Sequence, residues 1–137
     1  MGVEIRFVYE GELRCRAQHD PSGTEFVTDA PVDNEGRGES FSPTDLVATA
    51  LGSCMLTTMG IAARRRGFDI PGATAQVTKE MIADPRRRIA SLRGTIRIPG
   101  SFSDNDRKLL ELAAATCPVS QSLAPQVEVA VTIEWAE

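Results

Sequence analysis

Ser42-Pro43-Thr44-Asp45-Leu46-Val47-Ala48-Thr49-Ala50-Leu51-Gly52-Ser53-Cys54-Met55-Leu56-Thr57-Thr58-Met59-Gly60-Ile61-Ala62-Ala63-Arg64-Arg65-Arg66-Gly67 reads as one long helix. Ser42 suits the N-cap, Pro43 the first helical position and Asp45 the acid of a capping box. Three arginines meet the negative pole of the helix dipole, and Gly67 supplies the C′ stop. At 1.5 Å per residue the stretch would span roughly 37 Å, about the width of a small domain. Nearly everything between the caps is apolar or small. Such a helix needs cover on most sides, and the flanking sequence reads as that cover.

Upstream, residues 3–9 alternate as a strand, Glu10-Gly11-Glu12 as a turn and residues 13–18 as a second strand, with a short third strand at 25–28. Residues 29–41 form a long polar, Gly-rich loop, a length that is usually functional or mobile. Downstream, 73–82 and 89–98 alternate as a second hairpin joined by a turn ending in Arg86-Arg87-Arg88. Ser103 caps a second helix, which stops before Pro118; a short third helix follows, and residues 127–133 alternate cleanly as a last strand. The order β-β-β-α-β-β-α-(α)-β is hairpin-rich. It predicts an α+β fold with a largely antiparallel sheet of about six strands packed on a long central helix. One sheet covers one side of that helix. A second copy of the chain is expected to cover the other, making a homodimer.

Length and composition set the outer bounds. The 137 residues, 42% hydrophobic and 25% charged, fit a single soluble domain over 1–137. A net charge of −4 disfavours a nucleic-acid partner. Polar residues interrupt the central helix, so no membrane span is expected. No charged, then apolar, leader opens the chain, and three cysteines, an odd number, argue against a secreted disulfide framework. From these features a cytoplasmic chain is expected.

Cysteine carries the chemistry. Cys54 lies mid-helix beside Val47, Ala50, Leu51, Thr57, Thr58 and Ile61, an apolar face with two hydroxyls and no base. Its plain reading is a small core residue. Cys117 lies between a helix end and a proline that opens the next helix, so its sulfur is expected at an N-cap, where free N–H groups favour a thiolate. Its plain reading is a buried cap. Cys15, between two arginines, and the lone His19, beside a turn, read as structural. These residues have no ligand spacing between them, so neither a metal nor another cofactor is expected. With one loop histidine, acyl transfer is also disfavoured. Dithiol redox chemistry remains: one cysteine attacks, the other closes a disulfide.

The stretch from Phe41 to Cys54 resembles the signature helix of the OsmC/Ohr family of thiol peroxidases, and Cys117-Pro118-Val119-Ser120-Gln121-Ser122-Leu123 resembles that family's second-cysteine motif. The resemblance covers essentially the whole chain. It implies an OsmC-like, intertwined homodimer with sites at the subunit interface. It also implies a thiol-dependent peroxidase for organic hydroperoxides, and for hydrogen peroxide with less preference, in oxidative stress defence. A small thiol or dithiol would be the reductant. Cys54 would be the peroxidatic cysteine and Cys117 the resolving one. The family's activating glutamate, which follows the proline of the helix start, is replaced by Thr44. The nearest acid is Asp45, nine residues from Cys54 and on the opposite side of a straight helix, with a competing capping role. Arg37, between two glycines in the loop before the helix, is the candidate activating cation, with Arg14 and Arg16 behind it. The alternative is a non-catalytic protein binding a small apolar ligand on the same scaffold.

Overall fold

The computed structural model describes residues 1–136. The chain divides into two compact units, Met1–Val47 and the part from Ala48 onward.

In the first unit, β1 (Ile5–Gly11), β2 (Arg14–His19) and β3 (Glu25–Val27) form an antiparallel sheet in that order. The β1–β2 turn falls on Glu12 and Leu13, later than the sequence pattern suggested. Both adopt positive φ (55° and 62°), the primed-turn geometry that matches strand twist. Gly11, at φ 88°, absorbs the register shift before it. The two sheet faces differ in kind. One carries ion pairs, Arg6 with Asp20 at 2.9 Å and Arg16 with Glu10 at 2.9 Å. The other carries the row Phe7–Ala17–Phe26 flanked by Ile5 and Tyr9. Phe7 is 68% exposed and Tyr9 63%. The loop after β3 is laced down by hydrogen bonds: Asp29 N–H donates to the Phe41 carbonyl, Ala30 N–H to the Leu13 carbonyl, and Ser40 Oγ to the Val27 carbonyl. A single 3-10 turn, Val32–Asn34, interrupts it.

Helix α1 (Pro43–Arg65) begins in the first unit and runs through the second. Its start is the capping box expected: Ser42 Oγ accepts the Asp45 N–H at 3.1 Å, and Asp45 Oδ2 accepts the Ser42 N–H at 2.9 Å. At its end Gly67 takes φ 84°, and Phe68 N–H donates back to the Ala63 carbonyl.

In the second unit, β4 (Thr74–Ile82) pairs antiparallel with β5 (Arg88–Pro99), and β6 (Glu128–Ala136) pairs with β5 in parallel. The helices α2 (Asp104–Ala115) and α3 (Pro118–Ser122) form the crossover a parallel pair requires. The fold is α+β with six strands among the described residues, as the sequence pattern indicates. The strands divide, however, into two three-stranded sheets, and the last pairing is parallel. Alternation shows that a strand has a buried face; it does not say which edge the strand joins.

Ala48, Leu51, Gly52, Met55, Met59 and Ala63 form the buried stripe of α1. Gly52 lies so close to the sheet that a Cβ there would meet Val77 Cγ2 at 3.3 Å. Thr49, Ser53, Thr57 and Ile61, on the other side, are exposed. The helix is 23 residues long with mean hydropathy 1.7 over its most apolar window, so by length and composition it would pass as a membrane span. The expectation that its polar residues exclude this was too strict. Its buried stripe, with Gly52 set against Val77 of β4, is also what a core helix of a globular domain presents. Phe68, Phe102 and Trp135 close one end of the unit, with ring centroids 5.8 Å apart in each successive pair and Arg107 stacked 5.1 Å from the Trp135 centroid.

Candidate active site

Cys54 is placed by α1 at the border between the buried stripe and the open strip, and is half-buried. Its sulfur lies 3.9 Å from Thr58 Oγ1, one turn on. Thr58 is one of the two hydroxyl residues expected on its face; Thr57 and Ile61 are exposed. The face around the sulfur is therefore an open strip rather than an enclosed pocket. Ser53 turns its hydroxyl back onto its own helix, donating to the Thr49 carbonyl at 2.7 Å.

Cys117 is the N-cap of α3, as the Cys-Pro sequence predicts. Pro118 fixes the first helical position, and Cys117 takes extended geometry (φ −62°, ψ 144°) so that its side chain folds over the helix start. The Ser120 N–H donates to the sulfur at 3.5 Å, and Ser120 Oγ to the Cys117 carbonyl at 2.9 Å. Cys117 is fully buried. All three cysteines are free thiols.

A cavity of about 570 Å³ lies beside the two cysteine-bearing segments, with neither Cys54 nor Cys117 itself in its lining. Met55, immediately after Cys54, lines it, and so do Ser120 and Gln121 of the helix that Cys117 caps. Its remaining walls come from the second half of α2 and from β6, including Glu111 and Ile133. Sequence reading missed this cavity. Its lining is gathered from four elements, and no local pattern marks them as neighbours.

The charged candidates engage partners of the first unit. Asp45 holds the capping box. Arg37 reaches Glu12 Oε2 at 3.4 Å, with both side chains largely exposed. Arg16 is held by Glu10, whose hydrogen bond keeps the guanidinium pKa above its ordinary value. Arg14 bridges Glu39 at 3.4 Å and Asp29 at 3.6 Å. Asp29 is a residue that sequence reading passed over. It is 1% exposed, and its Oδ2 accepts the Glu39 N–H at 3.1 Å. Cys15 sits half-buried in β2, its N–H donating to Thr28 Oγ1. His19 Nδ1 lies 2.6 Å from Ser22 Oγ in a turn. Both are structural placements. Among the described residues, no three His, Cys, Asp or Glu side chains cluster as metal ligands do.

The profile of the OsmC-like protein family matches residues 36–132, which takes in both cysteine motifs. The chain belongs to the OsmC-like family. Among solved structures, this OsmC-like chain is 47% identical to a protein of Psychrobacter arcticus 273-4 provisionally assigned as an osmotic stress induced and detoxification response protein. The alignment covers 98% of each chain with a TM-score of 0.90. It shares the fold of an organic hydroperoxide resistance protein OsmC from Legionella pneumophila (15% identity, 98% and 97% of the chains, TM-score 0.78). It also shares the fold of the organic hydroperoxide resistance protein OhrB of Bacillus subtilis (16% identity, 98% of each chain, TM-score 0.70). No curated protein matches the sequence significantly. The OsmC-like fold thus presents two cysteines with unlike surroundings, one half-open on a rigid helix and one buried at a helix cap.

Proposed function

We propose that this chain is a thiol-dependent peroxidase that reduces organic hydroperoxides with Cys54 and Cys117, working as one OsmC-like domain. The observation that carries the reading is the shared cavity: the residue after Cys54 and the helix capped by Cys117 face the same space. Cys54 is the attacking sulfur because it is the more accessible of the two, and the buried Cys117 is kept from the bulk peroxide. The Cys54 thiolate attacks the distal oxygen of ROOH. An S–O bond forms, the O–O bond breaks, and the alkoxide leaves as ROH after taking a proton. The Cys117 sulfur then attacks the sulfenic sulfur. An S–S bond forms and water leaves. Two equivalents of a small thiol, or one dithiol, restore both cysteines and carry away the disulfide.

Arg37 is the activating cation in this reading. Its pair with Glu12 is exposed, and such pairs are worth roughly 0–1 kcal/mol, so Glu12 holds the guanidinium only weakly. Asp45 contributes by fixing the start of the helix that carries Cys54. The functional unit is a homodimer. The apolar face of the β1–β3 sheet and the open strip of α1 are both left exposed by the single chain, and a second copy is the cover proposed for them. The setting is cytoplasmic defence against oxidative stress.

The test is one equivalent of cumene hydroperoxide followed by peptide mass spectrometry of the alkylated protein. An intrachain Cys54–Cys117 disulfide is expected. A Cys54 that stays a thiol while circular dichroism shows the fold intact sinks the reading. The cavity also favours a second reading, a binding protein for a small apolar ligand. That reading requires Cys54→Ser to retain full function.

A further inference from the structure

The cavity beside the two cysteine segments has a charge signature of its own. At about 570 Å³ it falls in the range of small-molecule sites. Its walls are chiefly aliphatic: Met55, Val129, Val131 and Ile133 with two alanines of α2. Ser120, Gln121 and Thr132 supply neutral polar groups. Glu111 is the single ionisable residue in the lining, and no cation accompanies it. Glu111 is exposed, so its carboxylate stands at the rim, where a ligand's polar head would come to rest with its chain inside.

We propose that this cavity is an alkyl-chain site that selects by head-group charge: it takes a chain ending in a neutral or cationic group and rejects the same chain ending in a carboxylate. A carboxylate head would lie beside Glu111 with like charge and no cation in the lining, the nearest along α2 being the exposed Lys108 one turn earlier. An ammonium head would pair with it. At an exposed rim a unit charge a few ångströms away shifts an equilibrium constant by up to about fivefold, in opposite directions for the two heads, so together they separate by about tenfold. Extended to catalysis, and resting there on the peroxidase reading, the same rim makes uncharged hydroperoxides better substrates than fatty-acid hydroperoxides with a free carboxylate.

Isothermal titration of the intact protein with octylammonium chloride and with sodium octanoate, both below micelle formation, tests this without turnover. The ammonium should bind about tenfold or more tighter than the octanoate. In Glu111→Gln, which keeps helix propensity and removes the charge, the two affinities should converge to within about twofold. Equal affinities in the unaltered protein, no heat with either probe, or a preference that survives Glu111→Gln would each overturn the proposal. A failure of peroxide to form the Cys54–Cys117 disulfide is read in a separate experiment and bears on the peroxidase reading alone.

Discussion

Asp45→Ala removes the oxygen that closes the α1 capping box. Ser42 is 1% exposed, and its N–H donates to Asp45 Oδ2 at 2.9 Å. Truncation leaves that donor buried and unsatisfied, a cost of about 2 kcal/mol within the ~1–3 range for such groups. Asp45→Asn keeps an acceptor oxygen but removes the charge. It loses the charge assistance and the favourable pole of the helix dipole, together about 1 kcal/mol. The two substitutions should therefore separate by about 1 kcal/mol. With a urea slope of about 2 kcal/mol per molar, the midpoints should fall by roughly 1 M for Ala and 0.5 M for Asn. Trp135 fluorescence and far-ultraviolet circular dichroism report the transition. An Asp45→Ala protein as stable as the parent, or an Asn variant that falls as far as the Ala variant, would refute the capping account. The rate of Cys54 alkylation at fixed pH separates capping from activation. If Asp45 only caps, folded Asp45→Asn reacts at the parental rate.

Three further outcomes follow from the same geometry. Leu51, fully buried on the α1 stripe, should lose about 3–4 kcal/mol on truncation to alanine, measured by urea denaturation; a loss under 1 kcal/mol would mean the stripe is not packed. Cys117→Ser preserves the N-cap of α3 and removes the resolving sulfur. A peroxide-treated variant should accumulate one dimedone adduct, on Cys54, by mass spectrometry, and absence of the adduct would count against the two-cysteine scheme. Phe7→Asp places a charge in the exposed apolar row of the first sheet. Light scattering should show a monomer where the parent is a dimer, and an unchanged dimer would move the interface elsewhere.

What could be read from the chain was local. The capping box at Ser42 and Asp45, the Gly67 stop and the Cys117 cap each depend on residues a few positions apart, and all are found where expected. Alternation in 127–133 marked β6, but its parallel partner β5 is set by a crossover through α2 and α3 and by packing. The site divides the same way. The cysteines announce themselves by residue type and by their motifs. Arg37, by contrast, pairs with Glu12, 25 residues away, and Asp29 is buried under Arg14 by a loop whose course no periodicity encodes. Nothing in the sequence singles out Glu111, because the cavity exists only once α1, α2, α3 and β6 are assembled.

The first sheet, ion-paired on one face and greasy on the other, has a thermodynamic consequence if its cover is a second copy. Folding and association then become one equilibrium, and the measured stability depends on how much protein is in the tube. Each tenfold dilution should cost about 1.4 kcal/mol per dimer, so a melting temperature for this protein has meaning only beside the concentration at which it was taken.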